Sequence, residues 1–64
     1  MHAEYTYRVR WSPEDGEHVA TVAEFPSLSH LDSDPARALD GIRQLVGDVA
    51  ADMVAAGETL PVTR

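Results

Sequence analysis

The sequence predicts an α+β fold, β-β-β-α(-β), in which one helix packs on one face of a three- to four-stranded antiparallel sheet. Two observations predict this fold class. Apolar and polar residues alternate with a period of two near the start of the chain, which is typical of strands. Residues 34–57 instead repeat their apolar positions every three or four residues between clear start and stop signals, which is typical of one amphipathic helix.

The first strand is predicted from aromatic and apolar residues that alternate with Thr6, Arg8 and Arg10. The alternating set is Tyr5, Tyr7, Val9 and Trp11. We expect this set, Trp11 included, to face the core. Residues 12–16 then have proline early and glycine at the end, which favours a hairpin turn.

Two further strands are predicted before the helix. Residues 18–23 form the returning strand, and because they are apolar on both faces we expect another subunit to cover the outer face. The segment Phe25-Pro26-Ser27 interrupts the pattern, since proline lacks an amide donor. A short third strand follows at 28–31. Residues 59–63 alternate again, but Pro61 restricts them to an edge strand or an extended tail.

The helix has a capping residue at each end. Asp34 is placed to accept amide hydrogens of the first turn, and Pro35 occupies the first position, where a missing N–H has no cost. Gly57, followed by Pro61, marks the end. The residues spaced for the core are Leu39, Ile42, Val46, Val49 and Met53.

The opposite side of the helix is polar and mostly acidic. It comprises Arg37, Asp40, Gln44 and Asp48, with Asp52 on its flank. Asp48 and Asp52 are like charges one turn apart, near the negative end of the helix dipole, so each is disfavoured by a few tenths of a kcal/mol. A partner with basic groups would offset this cost. The alternative interpretation is a solvated acidic face that serves solubility.

Length and charge restrict the function classes. A chain of 64 residues is expected to be a single domain, residues 1–64, of marginal stability. Without cysteine it has no disulfide or thiolate zinc site, so we expect a homodimer, a higher homo-oligomer or a tight partner. A formal net charge of −6 opposes phosphate binding and favours a basic protein partner. No apolar run is long enough for a membrane span, and we expect a cytoplasmic protein.

The sequence contains no strong catalytic motif. His30, Asp32 and Asp34 form an H-x-D-x-D run, but the two aspartates stand where a turn and a helix cap favour them, so a metal-dependent hydrolase ranks last. A glycine-rich phosphate loop and a cysteine nucleophile are both lacking. We therefore expect no enzyme activity, no metal and no cofactor.

Two aromatic residues and two arginines are candidates for contacts with other molecules. Phe25, in a loop beside Pro26, is the better candidate for an interface anchor, since Trp11 continues the inward set of its strand. Arg8 and Arg10 share the outer face of the first strand and supply an alternative function, a stand-alone regulatory domain that binds RNA or a small ligand there.

Taken together, in their order and spacing along nearly the whole chain, several segments resemble the HicB-like antitoxin family. They are the strand Tyr7-Arg8-Val9-Arg10-Trp11, the turn at 13–16, the strand at 18–23, Glu24-Phe25-Pro26-Ser27, Asp34-Pro35-Ala36-Arg37-Ala38-Leu39, and the ending Gly57-Glu58-Thr59-Leu60-Pro61. Ser27 stands where the family usually has glycine.

The resemblance implies a degenerate ribonuclease H-like fold that binds a small, basic HicA-like toxin and covers its RNA-cleaving site. Many family members continue into a C-terminal DNA-binding domain; we expect none here, and no direct DNA binding. The first strand lacks the metal-binding carboxylate of active ribonuclease H relatives. The predicted partner-binding residues are Phe25, Asp32, Asp40, Asp48 and Asp52.

Overall fold

A computed structural model describes residues 5–61, which form three strands followed by one helix. The elements are β1 (Tyr7–Ser12), β2 (Glu17–Val22), β3 (Ser29–Asp32) and α1 (Pro35–Ala55). The strands form one antiparallel sheet in the order β1-β2-β3. This confirms the predicted β-β-β-α arrangement. Residues 59–61 have no strand structure, and the rest of the possible fourth strand, residues 62 and 63, lies outside the described residues.

The β1–β2 hairpin closes through the loop predicted from its proline and glycine. Ser12 and Glu17 are the last paired residues, and four residues connect them. The N–H of Gly16 donates to the carbonyl of Ser12 at 2.9 Å. Gly16 has a φ of 65°, a left-handed conformation that glycine adopts without the steric cost of a side chain. The turn chemistry therefore fixes the register of the two strands.

The core lies between α1 and the face of the sheet that we call the inner face. Its buried members are Ala20, Val22, Phe25, Ala38, Ile42 and Val46. Around them pack partly buried apolar residues: Tyr5, Tyr7, Val9, Leu28, Leu39, Leu45, Val49 and Met53. The apolar helix residues, spaced three and four apart, thus pack against the inward-facing residues of β1 and β2, as the sequence predicts.

Both helix ends are capped as predicted. The Asp34 carboxylate accepts the N–H of Ala36 at 2.9 Å, and Pro35 follows it at the first helical position. At the other end Gly57 adopts a φ of 77°. The N–H of Gly57 donates to the Val54 carbonyl at 3.0 Å, and that of Glu58 donates to Met53 at 2.8 Å. This pair of bonds is the Schellman motif, which satisfies carbonyls that the helix leaves open.

The helix is longer than the sheet that it covers. Its 21 residues span about 31 Å at ~1.5 Å per residue, whereas a six-residue strand spans about 20 Å at ~3.3 Å per residue. We call a set of residues paired across the strands a row. Because β3 leads directly into α1, the helix begins at the end of the sheet where β3 ends and runs back over the other rows. The last row of the inner face therefore lies at the start of the helix.

Candidate protein-interaction surfaces

The polar side of α1 is exposed along its whole length, and we call it the acidic helix face. Its members are Arg37, Asp40, Gln44, Asp48 and Asp52, and all five are exposed. The buried face of the same helix holds it on the sheet through Ala38, Ile42 and Val46. The aspartates are therefore presented by a helix that is packed on the sheet.

Within residues 5–61, the only ion pair joins Arg37 to Asp34 at 3.9 Å, between largely exposed side chains. Asp40, Asp48 and Asp52 have no cation within ion-pair distance in this part of the chain. The first turn of the helix contains no acidic residue and the last turn no basic one, so the charges do not complement the helix dipole. Asp40, Asp48 and Asp52, unlike Asp34, therefore do not act as ion-pair partners within the described residues.

Asp32 belongs to the turn that starts the helix. Its carboxylate accepts the N–H of Asp34 at 2.9 Å, and Asp34 in turn caps α1. The two aspartates of the H-x-D-x-D run therefore have the turn and cap duties predicted for them. His30, the first residue of the run, points at the helix, where its ring lies against Gly41. Among residues 5–61, no group of three or more histidine and acidic side chains is placed to hold a metal ion.

Phe25 is buried, so the prediction that it is an exposed anchor is wrong. Only 8% of the residue is exposed, and it belongs to the core. The N–H of Phe25 donates to Val22 at 3.2 Å and that of Leu28 donates to Phe25 at 2.9 Å, which folds the segment back onto the sheet. The Phe25 ring then meets Tyr5 edge to face, with ring centroids 5.3 Å apart.

Trp11 shows the opposite error, because we expect it in the core and the structure exposes 52% of it. The residue does lie on the inner face, but in the last row, where Trp11 pairs with His18 and His18 pairs with Asp32. Rows nearer the other end bury Ala20 and Val22 under the helix. Asp32 lies two residues before the helix cap Asp34, and Trp11 is aligned with Asp32 through His18. Trp11 therefore lies level with the start of the helix and outside the part of the sheet that the helix covers.

The outer face of the sheet carries the two arginines of β1. Arg8 and Arg10 are both exposed there. Val19 lies between Arg10 and Leu31 in register and is only 9% exposed, while Leu31 is 39% exposed. A depression of about 340 Å³ opens at one end of this face, lined by Thr6, Arg8, Thr21, Val22, Ala23 and Pro26.

Glu24 connects the start of the chain to the end of the hairpin. Its carboxylate accepts the backbone N–H of Thr6 at 2.8 Å and the Thr6 hydroxyl at 3.1 Å. The backbone bond from Thr6 is the main cause that lowers the pKa of Glu24 below its ordinary value, because it stabilises the charged form. Glu24 is thus committed to a structural contact.

Comparison with protein-family models, curated proteins and solved structures finds no match to this chain. Within residues 5–61, no helix has both the length and the apolar character needed to cross a membrane.

Proposed function

We propose that this chain is a non-catalytic, antitoxin-type interaction domain that binds a small basic RNA-cleaving protein of the HicA-like kind and covers its active site. The supporting observation is the acidic helix face, where Asp40, Asp48 and Asp52 are exposed without a cation among the described residues. A basic partner would supply counter-charges for these three aspartates, which have no ion-pair partner within residues 5–61.

Electrostatics favours such a partner. Asp48 and Asp52 are one turn apart near the C-terminal end of α1, so each raises the free energy of the isolated helix. Basic groups of a partner convert this repulsion into attraction, and complementary charge also accelerates association. The aspartate charges that destabilise the free helix are thus the same charges that would stabilise the complex.

The same charge and the resemblance both support this class of partner. An enzyme that cleaves RNA presents a basic surface to the phosphate backbone of its substrate. A rigid helix with three exposed carboxylates fits that surface and competes with RNA for it. The overall charge of −6 acts in the same direction, since it opposes binding of this chain to the RNA itself.

The test is the affinity for a basic RNA-cleaving partner after charge reversal on the helix. Asp40→Lys combined with Asp48→Lys is expected to weaken binding by about tenfold or more per reversed residue, because like charges then face each other. Both positions are exposed, and Asp48→Lys, in the C-terminal half of α1, also agrees with the helix dipole, so we expect folding to be retained. Unchanged affinity of the double variant contradicts the proposal.

A matched control separates local contact from total charge. Glu58→Lys changes the net charge as much as one aspartate reversal does, but Glu58 lies beyond the helix end and outside the acidic helix face. We expect a change in affinity below about threefold for Glu58→Lys, the size typical of a peripheral charge. Equal losses for Glu58→Lys and Asp48→Lys would show that net charge alone drives the binding.

A second candidate function rests on the depression beside Arg8 on the outer face. In this alternative the domain is a regulatory module that binds RNA or a small ligand through that face. Arg8→Ala with Arg10→Ala then abolishes a salt-dependent affinity for RNA. If the wild-type chain binds no RNA at low salt, the RNA form of this alternative is rejected.

A further inference from the structure

The inner face of the sheet ends in an exposed aromatic residue that the helix does not cover. Trp11 is 52% exposed, and it is the only tryptophan of the chain. Tryptophan is enriched among the residues that contribute most of the binding energy at protein interfaces. The row formed by Trp11, His18 and Asp32, which we call the hairpin-end row, is therefore a candidate contact site.

Neighbouring groups hold the indole ring in place. Trp11 and His18 meet edge to face, with ring centroids 5.1 Å apart and an interplanar angle of 65°. The His18 ring is itself fixed, because Nδ1 lies 3.2 Å from the Ser33 carbonyl, and since a carbonyl only accepts, Nδ1 donates. A pre-oriented aromatic ring loses little conformational entropy when it binds.

The charge around this row selects the chemistry of the partner. Between Arg10 and Arg37 the sequence contains no lysine or arginine. Arg10 points to the outer face, and Arg37 is paired with Asp34. The segment between Arg10 and Arg37 instead contains acidic residues: Asp32 lies in the row itself, and Glu14, Asp15 and Glu17 lie in the adjoining hairpin. The Ser12 hydroxyl donates to the Asp15 carboxylate at 2.9 Å.

We infer that the hairpin-end row binds an arginine or lysine side chain of a basic protein, with the cation over the Trp11 ring and Asp32 and the hairpin carboxylates as counter-charges. The electron-rich face of an indole attracts a cation, and the negative charges of Asp32 and of the hairpin act in the same direction. The same carboxylates repel phosphate, which excludes RNA as the occupant. This inference rests on the proposed function and adds a second contact at the start of α1.

The fluorescence of the native chain tests the charge environment directly, since Trp11 is the only tryptophan. Relative to free N-acetyltryptophanamide, we expect caesium ions to quench Trp11 emission more strongly than iodide ions, because the negative charges of Asp32 and the hairpin attract cations. Titration with tetra-arginine amide is expected to change the emission saturably, while tetra-glutamate leaves it unchanged. Stronger quenching by iodide, or no response to tetra-arginine, overturns the inference.

Variants test whether the ring itself contributes. Trp11→Ala is expected to weaken binding of labelled tetra-arginine about two- to fivefold, the range for an exposed cation–π contact. Val54→Ala is the matched control, since Val54 is also apolar and 62% exposed but lies at the other end of the helix, and it should bind as wild type does. Equal binding by Trp11→Ala and wild type overturns the inference.

The two proposals fail separately. If the ribonuclease partner binds Trp11→Ala as tightly as wild type but loses affinity for the Asp40→Lys and Asp48→Lys variant, the acidic helix face stands and the Trp11 contact is wrong. If neither variant changes the affinity, both surfaces are wrong.

Discussion

Replacing each of two helical glycines by alanine should have opposite effects on stability. Gly41 and Gly47 both lie inside α1, where glycine normally costs ~1 kcal/mol relative to alanine. A Cβ added at Gly47 meets nothing within 4 Å. A Cβ added at Gly41 overlaps the His30 ring, whose Cγ would be 2.6 Å away. Gly41 is therefore required by the approach of β3 to the helix, and Gly47 is not.

The structure sets the sign and size of each change. Gly47→Ala gains the full helix preference, so we expect stability to rise by about 1 kcal/mol. At Gly41 the same gain is opposed by overpacking against a half-buried ring, for which the upper part of the usual range, about 2–3 kcal/mol, applies because three ring atoms overlap. The net result for Gly41→Ala is a loss of about 1–2 kcal/mol.

Thermal and urea unfolding, followed by far-ultraviolet circular dichroism, measure both effects. In a domain of this size 1 kcal/mol corresponds to about 4–8 °C in Tm, so the two variants should melt on opposite sides of the wild type. Adding His30→Ala to Gly41→Ala removes the overlap, and Gly41→Ala should then become stabilising in the double-mutant cycle. If Gly41→Ala stabilises as much as Gly47→Ala with His30 present, the reasoning is refuted.

Two further predictions concern the core and the hairpin contact. Ile42 is fully buried, so Ile42→Ala should lower the free energy of unfolding by about 3–4 kcal/mol. The free energy of unfolding expected for a chain of this length is about 3–10 kcal/mol, so we expect the variant to lose helix signal at 37 °C. A cost below about 1 kcal/mol would contradict the assigned core. The hydrogen bond from the Thr6 N–H lowers the pKa of Glu24 in the folded state. The Glu24 carboxylate therefore contributes its full stabilisation above the unfolded-state pKa of about 4.3, and this stabilisation is lost as the pH falls through the lower folded-state pKa. Glu24→Gln should be less stable at pH 7, with the difference from wild type shrinking toward pH 2 in denaturant titrations; a pH-independent difference would contradict the Thr6 contact.

Local signals were sufficient to predict most of the fold. The caps at Asp34 and Gly57 and the turn at Gly16 follow from side-chain chemistry within a few residues, and the structure has all three. Periodicity likewise predicted which side of the helix and of β1 faces the core, because alternation is set by backbone geometry. The acidic helix face follows from the same spacing.

Tertiary arrangement decided what local signals could not. The exchanged burial of Trp11 and Phe25 depends on where the helix starts above the sheet and on how the turn after Phe25 folds back, and neither is encoded in strand alternation. The requirement for Gly41 depends on His30, a neighbour eleven positions away on another element. Homo-oligomer formation, expected from the apolar outer side of β2, stays a prediction.

The neutralisation of RNA cleavage is the most direct test of the antitoxin proposal. The proteins encoded by the two adjoining reading frames would each be purified and mixed with increasing amounts of this chain, and RNA cleavage and co-elution measured. We predict that one of them cleaves RNA, co-elutes with the chain and is inhibited stoichiometrically, and that the Asp40→Lys and Asp48→Lys variant does not inhibit it. Cleavage that continues unchanged with the folded chain in excess, or inhibition by the variant equal to that by the wild type, would contradict the account.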